Sequence, residues 1–159
     1  MAGPSATGHN STSLYTPEQR IRRDGTVWTT VQGVLAPLQF LAFGISLVLV
    51  VRYLATGEGY ALATASIIIK TGFLYIIMVT GAIWEKVVFG QYLLAPAFFW
   101  EDMVSFAVIA LHTAYLYALF AGMEPSVQMA VALVAYALYV LNAAQFVLKL
   151  RAARMEASA

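Results

Sequence analysis

Long uncharged stretches alternate with short polar clusters along this chain. The apolar residues gather into four runs, 27–54, 60–84, 98–121 and 127–148, each about long enough to cross a hydrocarbon core of roughly 30 Å as a helix. The connections at Thr56-Gly57-Glu58-Gly59 and Gly122-Met123-Glu124-Pro125 are short and marked by Gly or Pro, so neighbouring helices are predicted to run antiparallel. The expected fold is an all-α integral membrane protein, an antiparallel four-transmembrane-helix bundle with Pro37 kinking the first helix. The middle connection differs from the other two. Residues 87–100 are largely apolar and aromatic, with Phe89, Tyr92, Phe98, Phe99 and Trp100 and a break at Pro96, so this segment should lie in the membrane interface or fold back toward the bundle.

Composition agrees with a lipid solvent: 61% of residues are hydrophobic and 11% charged, with a mean hydropathy of +0.76, values wrong for a water-soluble domain. A polar arm over 1–26, rich in Ser, Thr, Gly and Arg, precedes the membrane domain of 27–150 and is expected to be disordered. It lacks the apolar run of a signal peptide. A basic tail, 151–159, follows. With the spans taking up most of the sequence, a site must be built between helices or at their ends. The absence of Cys excludes thiolate metal centres, covalent c-type haem and Cys nucleophiles. The two His make a multi-histidine metal site a poor expectation, and a net charge of +1 gives no footing for nucleic acid.

Charge sets the expected orientation. Arg20, Arg22 and Arg23 precede the first span, Lys86 lies in the middle connection, and Lys149, Arg151 and Arg154 follow the last, against Arg52 alone in the opposite connections. The positive-inside rule then makes the side bearing both termini cytoplasmic. Helix direction converts residue number into depth, and Gln32, Glu85, Glu101, Asp102, Asn142 and Gln145 all fall in that cytoplasmic half. Asn142, Gln145 and Lys149 share one helical face; Glu101, Ser105, Val108, His112 and Tyr115 share another. Each has a plain structural reading. The amides can be interhelical glue, Glu85 beside Lys86 an interfacial ion pair, and Glu101 and Asp102 partners of a positive helix N-terminus. Trp28, Trp84 and Trp100 can be belt anchors. Their convergence favours a polar cleft opening to the cytoplasmic leaflet under the aromatic segment. Lys70, inside a span, is expected to snorkel outward. His112, near mid-membrane, is either a hydrogen-bonded core residue or a ligand.

Five blocks carry a family resemblance: 15–24 (YTPEQRIRRD), 31–40 (VQGVLAPLQF), 75–102 (YIIMVTGAIWEKVVFGQYLLAPAFFWED), 110–116 (ALHTAYL) and 139–154 (YVLNAAQFVLKLRAAR). Together they resemble 3-vinyl bacteriochlorophyllide hydratase, also called the 2-vinyl hydratase, and the IWEK and AFFWED blocks are the most specific. The resemblance implies a hydro-lyase of bacteriochlorophyll synthesis in the inner, photosynthetic membrane, adding water to the vinyl group of a magnesium tetrapyrrole to give 1-hydroxyethyl. It implies no cofactor. Neighbouring enzymes of that synthesis or a second copy of the chain are the protein partners it suggests. Glu85, Glu101, Asp102 and His112 become the candidate catalytic groups, with acid and base unassigned among the carboxyls. Lys86, Trp100, Asn142, Gln145 and Lys149 become candidate substrate-binding groups, the lysines serving the single propionate, and His112 a candidate ligand of the substrate's magnesium. The competing reading is a non-catalytic pigment-binding or assembly subunit. A small transporter is weaker, because no repeat supplies alternating-access halves.

Overall fold

Helix caps, rather than the ends of the apolar runs, set the element boundaries. The computed structural model describes residues 13–157, all of its regular elements helical; the disorder expected for positions 1–12 lies outside the described residues. Helix α1, Pro17–Gly25, forms within the polar arm because Thr16 and Gln19 make a reciprocal capping box and Pro17 sits in the first turn. Local hydrogen bonding thus builds a helix that polar composition alone did not suggest.

Helix α2, Val27–Thr56, starts on the Thr26 hydroxyl, which accepts the Trp28 N–H, and runs through Pro37. It stops at Gly57, whose φ of 73° is left-handed and whose N–H returns to the Tyr53 carbonyl. Helix α3, Tyr60–Phe89, ends the same way at Gly90, with φ of 85°. A 3-10 turn, Pro96–Phe98, leads into α4, Phe99–Phe120, and α5 spans Pro125–Ala157. Four stretches, Val27–Thr56, Tyr60–Phe89, Pro96–Phe120 and Pro125–Glu156, are long and apolar enough to cross a membrane. At about 1.5 Å per residue, helices of 30 residues reach roughly 45 Å, so α2 and α3 outrun the hydrocarbon core.

Helices α2 and α3 pack closely as one pair, and α4 and α5 as another. Long side chains bridge the pairs. Phe43 meets Tyr136 and Tyr139 with ring centroids 5.3 and 5.0 Å apart, and the Ser46 and Tyr136 hydroxyls lie 2.5 Å apart. Val50, Ile67, Leu74, Val108, Tyr115 and Met129 complete this core. Phe40, Ile45, Val48, Phe106, Tyr117 and Phe120 point outward, as expected of helices that dissolve in lipid.

A second, aromatic cluster closes one end of the bundle. Tyr15, Val88, Phe98 and Ala153 are buried there, with Leu14, Trp84, Phe89 and Phe146 packed around them. The Leu14 N–H donates to Glu156, tying the described ends of the chain together at this end.

Candidate functional site

The carboxyls named from the sequence meet beneath the 90–98 connection. Because α3 continues to Phe89, it carries Glu85 inward at its final turns; the acidic first turn of α4 supplies Glu101 and Asp102. All three are buried, Glu85 and Asp102 at 4% and 3% exposure. Glu85 and Asp102 lie within hydrogen-bonding reach of each other. Each also accepts a loop amide: Asp102 Oδ2 from the Leu94 N–H at 2.9 Å and Glu85 Oε2 from the Ala95 N–H at 3.4 Å. Leu94 adopts φ of 61°, a left-handed conformation uncommon for a residue with a Cβ.

Glu101 is arranged differently. Both its oxygens lie 2.9 Å from Lys149 Nζ, and that ammonium also donates to the Ala97 carbonyl. Asn142 Nδ2 donates to the Glu101 backbone carbonyl at 2.9 Å and to Gln145 Oε1 at 3.3 Å. The Ser105 hydroxyl lies 2.8 Å from the same carbonyl and 3.0 Å from Asn142 Oδ1. Asn142 therefore joins α5 to the start of α4 and leaves Glu101's carboxylate to Lys149.

The predicted polar cleft is filled rather than open. Its roof folds inward because buried carboxylates need donors, and the backbone N–H groups of Leu94 and Ala95 are the donors at hand. Open space lies beside the loop instead, a groove of about 440 Å³ lined by Ser13, Leu14, Gln19, Phe89, Pro96 and Ala97. The aromatic segment divides between the two fates expected of it. Phe89 and Phe98 pack edge-to-face into the cluster with Trp84, whereas Tyr92 and Trp100 are exposed. Lys86, also exposed, donates to the Gly90 carbonyl at 3.0 Å. Trp84 serves the packing: its indole N–H donates to the Thr29 hydroxyl, which in turn donates to the Arg23 carbonyl.

His112 stands apart, with both ring nitrogens engaged. Nδ1 lies 2.7 Å from the Val108 carbonyl and Nε2 2.8 Å from Lys70 Nζ. A carbonyl only accepts, so Nδ1 carries the proton and Nε2 meets the amine. Neither nitrogen offers a free lone pair to a magnesium in this arrangement. Lys70 corrects the snorkelling expectation: it is fully buried, with Nζ 3.6 Å from the Tyr139 ring centroid and 5.2 Å from that of Tyr136. The His112 acceptor and two π faces inside the bundle outcompete the reach to the membrane surface. Hydropathy does not mark Tyr136 and Tyr139 as partners of Lys70, although they precede Asn142 at helical spacing. The role of Leu94 had no signal in residue type, because it lies in a backbone angle.

The family model for 2-vinyl bacteriochlorophyllide hydratase matches residues 15–152. The chain belongs to that family. A relative from Rhodobacter capsulatus, described as 2-vinyl bacteriochlorophyllide hydratase, is 71% identical over 146 residues, covering 92% of this chain and 85% of that protein. One from Cereibacter sphaeroides with the same description is 73% identical over 146 residues, covering 92% and 91%. No solved structure matches the chain. The family's matched span contains Glu85, Glu101, Asp102, Lys86, Lys149, Asn142 and Gln145, and also Lys70 and His112.

Proposed function

We propose that the protein hydrates the vinyl group of a bacteriochlorophyllide or chlorophyllide, giving the 1-hydroxyethyl product in bacteriochlorophyll synthesis. The observation that carries this reading is the likeness to two hydratases at 71% and 73% identity across 92% of the chain. The bundle sits in the inner, photosynthetic membrane. Its domain covers 27–150, and the arm of 1–26 and tail of 151–159 lie on the cytoplasmic side. Contacts of Gln32 with Thr80, Ser46 with Ser66 and Tyr53 with Tyr60 support an antiparallel α2 and α3. Contacts of Lys70 with His112 and Glu85 with Asp102 support the same for α3 and α4.

The reaction needs an acid for the terminal vinyl carbon and a base for water. Protonation of that carbon leaves positive charge on the carbon next to the macrocycle, where conjugation spreads it. Water bonds there and loses a proton. Addition of one water balances the sum, with no electron transfer. Glu85 and Asp102 suit this task as a pair, since a hydrogen bond between two carboxyls requires one proton between them, leaving one donor and one acceptor. Glu101 holds Lys149 in place. Lys149 and Lys86 face the substrate's propionate, and exposed Trp100 offers an aromatic face at the membrane edge. His112 serves with Lys70 as a polar tie within the bundle rather than as a magnesium ligand.

Purified protein incubated with a 3-vinyl chlorophyllide should yield a product heavier by one water in mass spectrometry. Stoichiometric retention of pigment without that gain would identify a pigment-binding subunit instead.

A further inference from the structure

Glu85 and Asp102 cannot touch a macrocycle while a loop covers them. Four of the groups assigned to reaction or binding are occupied by one short length of backbone. Asp102 and Glu85 accept the amides of Leu94 and Ala95; Lys86 and Lys149 donate to the carbonyls of Gly90 and Ala97. The pairing has the right chemistry for a substitute. The buried carboxyl pair, which would give a water molecule an acceptor, receives N–H donors, and ammonium groups that would meet a propionate receive carbonyl oxygens.

We propose that residues 90–97 form a lid that stands in for the substrate and is displaced by it. The inference rests on the reading of Glu85 and Asp102 as the reacting pair. Displacement exchanges an amide donor for the water at the carboxyl that acts as base, and two carbonyl acceptors for the propionate; the carboxyl that faces the vinyl edge carries the shared proton and is uncharged, so no charged group is stripped of partners as the lid leaves. The backbone is prepared for this movement. Leu94 is held in the left-handed region by its bond to Asp102, a conformation that favours release once that bond is exchanged. Gly90, at φ of 85°, supplies a hinge that tolerates either hand. On the other side Pro96 begins the 3-10 turn, and the groove bordered by Pro96, Ala97, Phe89 and Leu14 gives the lid room to move.

Amide hydrogen exchange on the purified full-length protein tests the lid, read in peptides covering 91–99 with and without saturating 3-vinyl chlorophyllide. The amides of Leu94 and Ala95 should exchange about ten-fold faster with substrate bound, as their charge-assisted bonds are given up. A second readout uses Leu93→Cys, a site outside the reacting and binding groups in a chain with no native Cys; its modification by N-ethylmaleimide should accelerate by a similar factor. Unchanged or slower rates in protein that turns over would overturn the lid and leave the hydratase reading standing. Full turnover by the Glu85→Gln/Asp102→Asn double variant would overturn the underlying reading instead.

Discussion

A lysine with no exposed surface, bonded to a histidine in the middle of a membrane bundle, shows how much one side chain depends on its neighbours. The ion pairs among the described residues are Arg23–Asp24 and Lys149–Glu101, so Lys70 relies on His112 and on tyrosine faces. Lys70→Met keeps the volume but leaves His112 Nε2 buried and unpaired, and should destabilise the protein by about 1–3 kcal/mol in a detergent melt. Adding His112→Leu should recover part of that loss, because replacing both partners removes the orphan. At the other end, Asp102→Asn or Glu85→Gln should lower kcat about 10²- to 10⁴-fold with a smaller change in KM, the signature of lost proton transfer. Glu101→Gln should instead act chiefly on KM, since its carboxylate holds Lys149. Steady-state kinetics on the three variants separate these roles.

The elements owe their ends to caps and their working positions to those ends. Hydropathy stops at Trp84 because Glu85 and Lys86 follow, yet the helix continues until Gly90. Those extra turns bring Glu85 over the start of α4. Helix α1 depends on an anchor in the same region. Buried Tyr15 lies 5.8 Å from Phe89 and 6.5 Å from Trp84 between ring centroids, under the Arg23 guanidinium. Burial pushes the Tyr15 hydroxyl above its ordinary pKa while nearby Arg23 opposes the shift. Tyr15→Ala should therefore release the arm and cost about 3 kcal/mol in thermal stability, whereas deletion of residues 2–12 should spare both insertion and turnover. A melt and an activity assay on the two variants test the contrast.

For the whole molecule, close packing within the two helix pairs and side-chain bridges between them create a seam. The proposed acid–base pair lies at one end of that seam, Lys70 with His112 farther along it. Its orientation in the membrane follows from charge: the proposed topology puts Lys86 and both termini on the cytoplasmic side. Glu58→Cys, introduced into this Cys-free chain, should react with an impermeant maleimide from the side opposite the cytoplasm. Reaction from the cytoplasmic side would reverse the topology.

The sequence by itself determined that the protein dissolves in lipid, since four long apolar runs leave no alternative solvent and hydropathy is a sum over residues. It also disclosed the convergence of Glu85, Glu101, Asp102, Asn142 and Gln145, because helical periodicity turns residue number into depth and direction, whereas Gln32, placed with them by the same rule, bonds to Thr80 instead. The family blocks supplied the chemistry that those counts lack. Tertiary structure decided what each group does with its hydrogen bonds. It gave Glu101 to Lys149, set Glu85 against Asp102, placed Lys70 on His112 and drew the loop amides onto the carboxyls. These outcomes depend on distances between elements far apart in sequence and on backbone angles such as that of Leu94, where geometry chooses among partners of equal chemical suitability.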